Sequence, residues 1–356
     1  MKLIRKSIYL IIAFVLVFIA CGNPYEVEIP HWDYEDEVTE DNGTDESGKE
    51  YPVVYPTAGA AKVKTLQTTG LFRETKISDG IVHYAFAGKD ELSNAYQNVN
   101  VLEIDLNNEA NIINFYYSSS SDVVSSVAKK NNAIAAVNAT YEQEAVYCRT
   151  NGYNHSEVTL TPGHERFWKH NAALVGDGAR KIGIVNGAPG EETTDKGGEM
   201  AIEMYKSLKE KNIFGSAPML IDDYKPVGEK FVPSFYTESD LGKLSYEDYR
   251  RHQGVRHPRT AVALTDDNDL LLIVVDGRFS GKAEGMSAKE LTQFIAKHFN
   301  PRWAINMDGG GSSTMYIKGY GDPENNVLNY PTDNDKWDHQ GERSLRTHLL
   351  VLSAKK

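Results

Sequence analysis

Two aspartates in this sequence stand where a buried strand is followed by a loop, and they carry its clearest chemical signal. Asp276 ends the apolar run LLLIVV and precedes a glycine and Arg278, whereas Asp308 ends WAINM and precedes three glycines. Strand ends are rigid and the loops beyond them admit a substrate, so a carboxylate there can act as an acid, a base or a metal ligand. Both aspartates and Arg278 are candidate catalytic residues, although a structural cap on its loop would also account for Asp276.

The segment after Asp308 reads GGGSST, and its glycines need a reason. Each glycine inside a structural element costs roughly 0.5–1 kcal/mol relative to alanine. Unhindered glycine amides can surround an anion and the neighbouring hydroxyls add donors, which predicts a phosphate site. It is not a P-loop, because no GK[ST] follows and the next predicted element is a strand. The predicted phosphate contacts here are Gly309, Gly310, Gly311, Ser312, Ser313 and Thr314.

Arginines near these strand ends suit the same anion, because a planar guanidinium can bind phosphate through two parallel hydrogen bonds. Arg278 follows Asp276, Arg259 precedes the apolar run TAVAL, and Arg343 lies in a loop rich in proline and aspartate before the last predicted strand. That loop is either a lid or a long turn, and each arginine alone fits an ordinary surface residue. Their shared place at strand edges favours phosphate binding.

The elements that must position these residues are mainly strands. Apolar or alternating runs predict them at residues 99–106, 111–117, 133–138, 181–186, 260–265, 270–276, 303–308, 314–319 and 344–352. Three helices are predicted at residues 121–129, 198–211 and 287–299, the last with Ser287 and Glu290 at capping-box spacing. Strands outnumber helices without regular alternation, which predicts an α+β fold: a mixed, mostly β-sheet core with a few flanking helices in a single compact domain.

The chain begins with a predicted export signal. Lys2, Arg5 and Lys6 precede an apolar run that is too short for the ~20 residues of a spanning helix. The sequence FIAC followed by glycine resembles a bacterial lipobox, which makes Cys21 the predicted lipidation site; a plain secretory signal with an incidental cysteine is the alternative. If Cys21 is acylated, Cys148 is the only remaining thiol and no intrachain disulfide can form.

Residues 22–50 contain eleven Asp or Glu and one basic residue, which accounts for −10 of the net charge of −12. Such composition predicts a disordered, self-repelling tether, with a solvated arm of no spacing role as the alternative. The predicted organisation is a signal peptide at 1–20, a lipid-anchored acidic tether at 21–60 and a folded domain at 61–356. The folded part shows no basic stripe, so nucleic acid is not an expected partner.

The order and spacing of several segments resemble the phosphodiester glycosidase family. The segments are FGSAPMLIDD, HPRTAVAL, LLLIVVDGR, GMSAKELTQFI, AINMDGGGSSTMYIKG and ERSLRTHLLVL, and the resemblance covers about residues 95–355. It rests on their combined order, because GGGSS alone is a weak motif. It implies hydrolysis of a sugar-1-phosphodiester, with release of the sugar and a phosphomonoester left on the other partner.

Such cleavage needs phosphate donors, a carboxylate near the oxocarbenium-like centre and a means of activating water. The resemblance places Asp276, Asp308 and Arg278 in catalysis without deciding which carboxylate is base, nucleophile or ligand. It implies substrate contacts from Asn138, Arg259, Asn306, Arg343 and residues 309–314. The two aspartates are expected on neighbouring strands, where they could also share a divalent cation with the substrate; no cofactor is otherwise indicated.

One segment departs from the family pattern: Asn138 is followed by Ala139 and Thr140 where family members have two glycines. Two functions follow. The first is a hydrolase of glycosyl phosphodiesters, attached to the bacterial cell envelope only through its lipid, and the retained Asp276, Arg278 and Asp308 favour it. The second is a non-catalytic lipoprotein that binds phosphorylated glycans, and the lost glycines favour it.

Overall fold

The structure is a computed structural model of the chain. It describes residues 52–57, 59–60, 62–142, 145–156 and 166–354. The predicted signal peptide, Cys21 and residues 22–51 of the predicted tether lie outside the described residues. Within the described ranges, no helix is both long and apolar enough to cross a membrane.

The described residues form sixteen strands. In chain order they are β1 (Arg73–Ser78), β2 (Ile81–Asp90), β3 (Ala95–Asp105), β4 (Asn111–Asp122), β5 (Ala135–Asn138), β6 (Cys148–Thr150), β7 (Tyr153–Asn154), β8 (Ala172–Gly176), β9 (Ile182–Asn186), β10 (Asn212–Ser216), β11 (Met219–Ile221), β12 (Arg259–Leu264), β13 (Asp269–Val275), β14 (Trp303–Asn306), β15 (Met315–Ile317) and β16 (Leu345–Ser353).

The strands build three sheets whose pairs are all antiparallel. The largest has seven strands in the order β1-β2-β3-β13-β12-β14-β11. A five-stranded sheet has the order β7-β6-β10-β8-β9, and a four-stranded sheet has the order β15-β5-β16-β4. Strands β12 and β13 are buried along their whole length, which explains their apolar runs at residues 261–264 and 270–275.

Within the described residues, five α-helices accompany the sheets: α1 (Val124–Lys130), α2 (Asp195–Ser207), α3 (Glu238–Gly242), α4 (Tyr249–Gly254) and α5 (Ala288–Phe299). Helix α5 begins with the predicted capping box, in which the Ser287 hydroxyl accepts from the Glu290 N–H and the Glu290 carboxylate accepts from the Ser287 N–H. It ends at Asn300, whose φ of 42° closes the helix in the left-handed region.

The main core lies where the three sheets face one another. Leu272 of the seven-stranded sheet, Leu349 of the four-stranded sheet and Leu174 of the five-stranded sheet belong to one buried cluster. The opposite face of the seven-stranded sheet is covered by α5 through Leu291 and Phe294. Helices α1 and α2 cover the outer faces of the two smaller sheets in the same way. Each sheet is thus buried on both sides around its middle strands.

The α+β prediction is confirmed, and every predicted strand and helix overlaps an observed one. The β1–β2 hairpin was not predicted, because its strands mix apolar residues with polar and small ones. The folded part also begins before the predicted boundary at residue 61. Val53 is buried, and the Tyr55 hydroxyl donates to Oε1 of Glu210 (2.5 Å), so this end of the predicted tether packs against the domain.

Candidate active site

The ends of β13 and β14 bring the two candidate aspartates to one edge of the seven-stranded sheet. The last residue of β13 pairs with the first of β12, and the last residue of β14 pairs with Ala261 on the other side of β12. Both strands therefore run in the same direction, and Asp276 and Asp308 leave the sheet at the same edge. The expectation that β13 and β14 are neighbours is wrong, because β12 separates them by about 9.5 Å, twice the usual strand spacing.

Asp308 is held in place by the segment that ends β5. Its N–H donates to the Ala139 carbonyl (3.0 Å), and its own carbonyl accepts from Nδ2 of Asn138 (2.6 Å). Oδ1 of Asn138 accepts from the Thr260 hydroxyl (2.7 Å) and the Thr314 N–H (3.1 Å). Asn138 is buried and bonded at both ends of its amide, so it positions Asp308 instead of forming the predicted substrate contact.

The Asp308 carboxyl can exchange a proton near neutral pH. Burial raises its pKa to about 7, and the charge of Glu142 adds to that rise. A hydrogen bond from Ser312 and the positive charges of Lys169 and Arg343 lower the pKa and offset part of the effect. A carboxyl with this pKa is present in both protonation states at neutral pH, as acid–base catalysis requires.

The glycine run does not form the predicted set of free amides. The Gly309 N–H donates to the Asp308 carboxylate (2.9 Å), and the Gly310 N–H donates to the Pro258 carbonyl (2.8 Å). A 3-10 turn follows, in which the next two serine amides bond back to glycine carbonyls. Within the described ranges, Gly311 is the residue of the run whose N–H has no such bond.

The glycines instead leave room for two arginines. A Cβ on Gly310, whose φ is +63°, would lie 3.0 Å from Nη2 of Arg278. A Cβ on Gly311 would lie 2.5 Å from Nη2 of Arg343, which is closer than real Cβ contacts come. Because only glycine permits both approaches, the run brings two guanidinium groups to the turn that follows Asp308.

Arg278 is an exposed arginine in a strained backbone conformation. Its φ is 67°, a left-handed value that is uncommon for a long side chain. Its Nη1 donates to the Thr332 hydroxyl (3.3 Å), and no carboxylate among the described residues pairs with it. Strain of this kind costs about 1–3 kcal/mol and is concentrated at functional sites. Arg278 therefore keeps donors for an anion from outside.

Arg343 is oriented by a single carboxylate. Its Nη2 and Nε lie 2.5 and 2.7 Å from Oδ1 of Asp333. Its Nη1 lies 3.4 Å from the Ser312 hydroxyl, the group that also bonds with the Asp308 carboxyl. The ion pair thus fixes the guanidinium between the glycine turn and Asp308.

Asp276 is completely buried, and its carboxylate accepts three hydrogen bonds. Oδ1 accepts from Nδ2 of Asn329 (2.9 Å) and from the Tyr330 N–H (2.9 Å), and Oδ2 accepts from Nδ2 of Asn98 (2.8 Å). Burial raises its pKa to about 7, and these hydrogen bonds act against the rise. Because Asn329 also donates to the Ser313 carbonyl (2.9 Å), Asp276 ties the loop after β15 to the glycine turn.

Arg259 does not face the predicted phosphate. Its side chain is buried, with Nε donating to the Met286 carbonyl (2.8 Å) and Nη2 to the carbonyls of His252 and Val255 (3.0 Å each). Its Nη1 donates to the side chain of Gln253 (3.0 Å). Contrary to the prediction, this guanidinium holds α4 and its C-terminal end to the sheet and has no free face for a ligand.

Three further predicted contacts are also buried. Asn306 is buried, and its Nδ2 donates to the Ala217 carbonyl (2.7 Å). Ser313 and Thr314 are fully buried, and their hydroxyls have no hydrogen-bond partner in the described part of the chain. The Asn306 side chain supports the backbone before the site, and the burial of all three side chains does not agree with the prediction that they contact substrate.

A buried lysine lies near Asp308 without having been predicted. Lys169 is in the 3-10 turn Phe167–His170, where its Nζ pairs with Oε2 of Glu247 (2.8 Å) and lies 4.7 Å from the ring centre of Tyr141. Its charge lowers the pKa of Asp308. No motif marks this residue; its one sequence signal is a lysine within the aromatic segment FWKH.

The predicted divalent cation finds little support in the donor set. Residues 52–354, where described, contain no group of three or more His, Cys, Asp or Glu side chains arranged to hold a metal ion. The carboxylate oxygens of Asp276 meet N–H donors on three sides, and such donors compete with a cation for the same lone pairs. Asp276 and Asp308 therefore do not fit a shared metal site.

The fold and the site define an α+β protein in which two arginines and a carboxyl with a raised pKa lie at one glycine turn, a set of groups that suits a phosphate-containing ligand. The chain belongs to the phosphodiester glycosidase family, whose model matches residues 131–352. At the level of the family, this indicates a hydrolase that acts on phosphodiester-linked sugars.

Two solved structures resemble the chain at low sequence identity. The catalytic domain of zebrafish N-acetylglucosamine-1-phosphodiester alpha-N-acetylglucosaminidase, auto-inhibited by its pro-peptide, is 16% identical over 83% of this chain and 87% of that chain, with a TM-score of 0.48. A protein from Synechocystis is 12% identical over 80% of this chain and 64% of that chain, with a TM-score of 0.50, which shows a shared fold. No curated protein matches the chain.

Proposed function

We propose that the protein hydrolyses the bond between C1 of a sugar and the phosphate of a sugar-1-phosphodiester. The oxygen of water bonds to C1, the C1–O bond to phosphate breaks, and the bridging oxygen leaves with the phosphate. The products are a free sugar and a phosphomonoester on the other partner. The observation that carries this proposal is the convergence of Arg278 and Arg343 on the glycine turn beside Asp308.

The two arginines bind the phosphate and stabilise it as it departs. Arg278 has no carboxylate partner among the described residues and approaches Gly310, whereas Arg343 is fixed by Asp333 and approaches Gly311. Guanidinium groups held in place before the reaction stabilise the developing charge on the leaving phosphate without reorganisation. A phosphate held in this way is a good leaving group, so little general-acid assistance is needed.

Asp308 is the carboxyl that acts at the sugar. It lies beside the arginines, and its ionised form favours the positive charge that develops at C1 in the transition state. With a pKa raised to about 7 by burial, it can also accept the proton of the attacking water. Lys169 keeps part of the Asp308 population ionised at neutral pH, because its positive charge opposes the effect of burial.

Asp276 has a different role in this proposal, that of a positioning residue. All three of its hydrogen bonds come from groups of the protein, and two of them hold residues Asn329 and Tyr330. The same loop carries Thr332, which contacts Arg278, and Asp333, which orients Arg343. Asp276 therefore acts on the phosphate site through the loop that supports both arginines.

The test uses a panel of glycosyl phosphate methyl esters and measures free sugar and methyl phosphate together. In heavy-oxygen water, C1–O cleavage places the label in the sugar, whereas attack at phosphorus places it in methyl phosphate. Equal release of both products with methyl phosphate free of label is the expected result, because the C1 hydroxyl of the free sugar also exchanges its oxygen with water. Label found in the phosphate would make the protein a phosphodiesterase, and release of neither product from any sugar would overturn the proposed reaction.

The proposed place of action is the bacterial cell envelope. The support is the sequence at the start of the chain, where Cys21 follows an apolar run of export-signal length and the acidic segment 22–50 comes next. A lipid on Cys21 would hold the domain at a membrane surface, and the acidic segment would space it from that surface.

A further inference from the structure

A second cleft opens beside Asp276, and we name it the sheet-end groove. It has a volume of about 500 Å³, in the size range of small-molecule sites. Its lining includes Ala85, Ala87, Asn98, Asn100, Tyr330 and Trp337. None of these residues was singled out by the sequence. The reaction proposed above uses only two groups of this lining, the backbone N–H of Tyr330 and Nδ2 of Asn98, which both donate to Asp276.

The floor of the groove is the face of the seven-stranded sheet itself. Ala85 pairs with Asn100 across β2 and β3, and Ala87 pairs with Asn98, so four residues form two cross-strand pairs on one face. The Asp276 N–H donates to the Asn98 carbonyl (2.9 Å), which extends the row Ala87–Asn98 to Asp276. The small alanine side chains leave open space, and the floor leads directly to the phosphate-site edge of the sheet.

The two asparagines on this floor have unused hydrogen-bonding groups. Oδ1 of Asn100 bonds with Nε2 of His83 (3.0 Å), and Nδ2 of Asn98 donates to Asp276 (2.8 Å). Neither amide has another side-chain hydrogen bond in the part of the chain that is described. Nδ2 of Asn100 and Oδ1 of Asn98 thus offer a donor and an acceptor about 7 Å apart, two residues along one strand.

The wall of the groove is aromatic and connects to the phosphate site. The rings of Tyr330 and Trp337 are stacked, with centroids 3.8 Å apart and an interplanar angle of 8°. The ring of Phe279, the residue after Arg278, lies 5.0 Å from the Trp337 ring in an edge-to-face arrangement. A wall of rings beside a floor of amides suits a ligand with apolar C–H faces and several hydroxyls, which is the chemistry of a sugar.

We propose that the sheet-end groove binds the alcohol-side sugar of the diester, the partner that keeps the phosphate after hydrolysis. This rests on the proposed function for the position of the phosphate at Arg278. Across the sheet edge the order is Asp308 at β14, then Asp276 at β13, then Asn98 at β3. The sugar that reacts at Asp308 and the groove therefore lie on opposite sides of the phosphate, so the groove is left for the other half of the substrate.

The experiment compares binding of methyl phosphate with binding of the 6-phosphates of glucose, mannose, galactose and N-acetylglucosamine disaccharides, by titration calorimetry. These probes need no turnover and carry no phosphate at C1, so they lack the bond that the proposed reaction cleaves. We expect at least one disaccharide phosphate to bind about 10-fold more tightly than methyl phosphate, the effect of one or two added hydrogen bonds. If none binds more tightly than methyl phosphate, the groove is not a sugar site.

The variant Asn100→Leu keeps the number and branching of the side-chain heavy atoms and removes the donor. It should bring the disaccharide phosphate to within about 3-fold of methyl phosphate and leave methyl phosphate binding unchanged. Asn114→Leu, on β4 of the four-stranded sheet, is the matched control and should keep the full preference. Equal loss in both variants, or an unchanged preference in Asn100→Leu, would overturn the assignment.

Failure of the groove and failure of the reaction give different results. A protein that hydrolyses glycosyl phosphate methyl esters but shows no preference for disaccharide phosphates has the proposed activity without this site. A protein that hydrolyses no ester but prefers the disaccharide phosphates has the groove without the activity.

Discussion

Replacing Gly311 by alanine tests the idea that the glycine run exists to admit arginine side chains. The added Cβ would lie 2.5 Å from Nη2 of Arg343 and 2.6 Å from Oδ1 of Asp333. Ordinary contact begins at 3.4 Å, so the guanidinium must move by about 0.9 Å. The φ of Gly311 is not in the left-handed region, so the backbone itself accepts alanine and the ion pair has to shift.

We expect Gly311→Ala to lower the activity substantially and to change the stability little. A displacement of about 1 Å in a positioning group lowers catalysis by about 10²-fold. Methyl phosphate should bind about 10-fold more weakly, because one charge-assisted hydrogen bond is lost or badly aligned. The melting temperature should change little, since replacing glycine at a compatible φ also removes freedom from the unfolded chain. The assays are kcat/KM on a glycosyl phosphate methyl ester, calorimetry with methyl phosphate and a thermal melt.

A glycine elsewhere in the chain gives the control, and a double variant at Gly311 and Arg343 gives the decisive comparison. Gly242→Ala, at the C-terminal end of α3, meets no atom within 4 Å and should leave both assays unchanged. In an Arg343→Ala background, Gly311→Ala should lower activity and binding hardly further, because the guanidinium is gone and the Asp333 carboxylate no longer has to stay beside it. Two results would contradict the reasoning. One is normal methyl phosphate binding by Gly311→Ala, and the other is a loss of kcat/KM in the Arg343→Ala background as large as the loss in the native protein. Either would show that Gly311 is not needed to make room for Arg343.

Four other substitutions test the remaining roles. If Asp308 is the base, kcat/KM of the native protein rises with pH through about 7 as the carboxyl loses its proton. Asp308→Asn should lower kcat by at least about 10²-fold, and a pH series of this variant should show no such rise. Lys169→Met removes a charge that lowers the Asp308 pKa, so the midpoint of that rise should move to higher pH, and an unmoved midpoint would contradict this effect of the lysine charge. Arg278→Lys keeps the charge but loses the guanidinium fork, and calorimetry should show about 10-fold weaker binding of methyl phosphate, in contrast to an exposed Lys297→Arg control. Cys21→Ser should move the whole protein from the membrane fraction to the soluble fraction with loss of acyl label, and an unchanged distribution would exclude the lipid anchor.

The sequence was sufficient to predict the strands that build the site, because β12, β13 and β14 are short apolar runs with clear ends. It also indicated that Asp276 and Asp308 share an edge. It could not show that β12 lies between them, since strand order depends on contacts distant in sequence. The direction of each side chain was equally hidden: Arg259 and Arg278 look alike in sequence, yet one is buried under carbonyl groups and the other is exposed beside Gly310.

Lys169 and the sheet-end groove escaped prediction for a related reason. A lysine in an aromatic segment has no periodic or motif signal. Its position depends on an ion pair with Glu247, a residue far along the chain. The alanines and asparagines of β2 and β3 are individually ordinary, and only the pairing register places them in one row with Asp276. A site that depends on the register between paired strands cannot be predicted from the pattern of residues along the sequence.

The replaced glycines after Asn138 were the main sequence argument for a protein that only binds. In the structure both replacements point into the core: Ala139 is buried, and the Thr140 hydroxyl donates to the Gly215 carbonyl. The Asp308 N–H bonds to the carbonyl of Ala139, a contact that any residue can provide. The lost glycines therefore leave the support of Asp308 intact, and they no longer favour the binding protein.

The position of Asp308 itself argues for catalysis. A carboxyl beside a phosphate site repels the anion whenever it is ionised, so a protein selected only for binding gains nothing from it. Asp308→Asn separates the two functions on this basis. Removing the charge should strengthen methyl phosphate binding in either case, but in a hydrolase the gain in affinity comes with loss of turnover. If the native protein hydrolyses no sugar of the panel, the ionised Asp308 only weakens phosphate binding and its presence is not explained. That result would favour the protein that binds without catalysis.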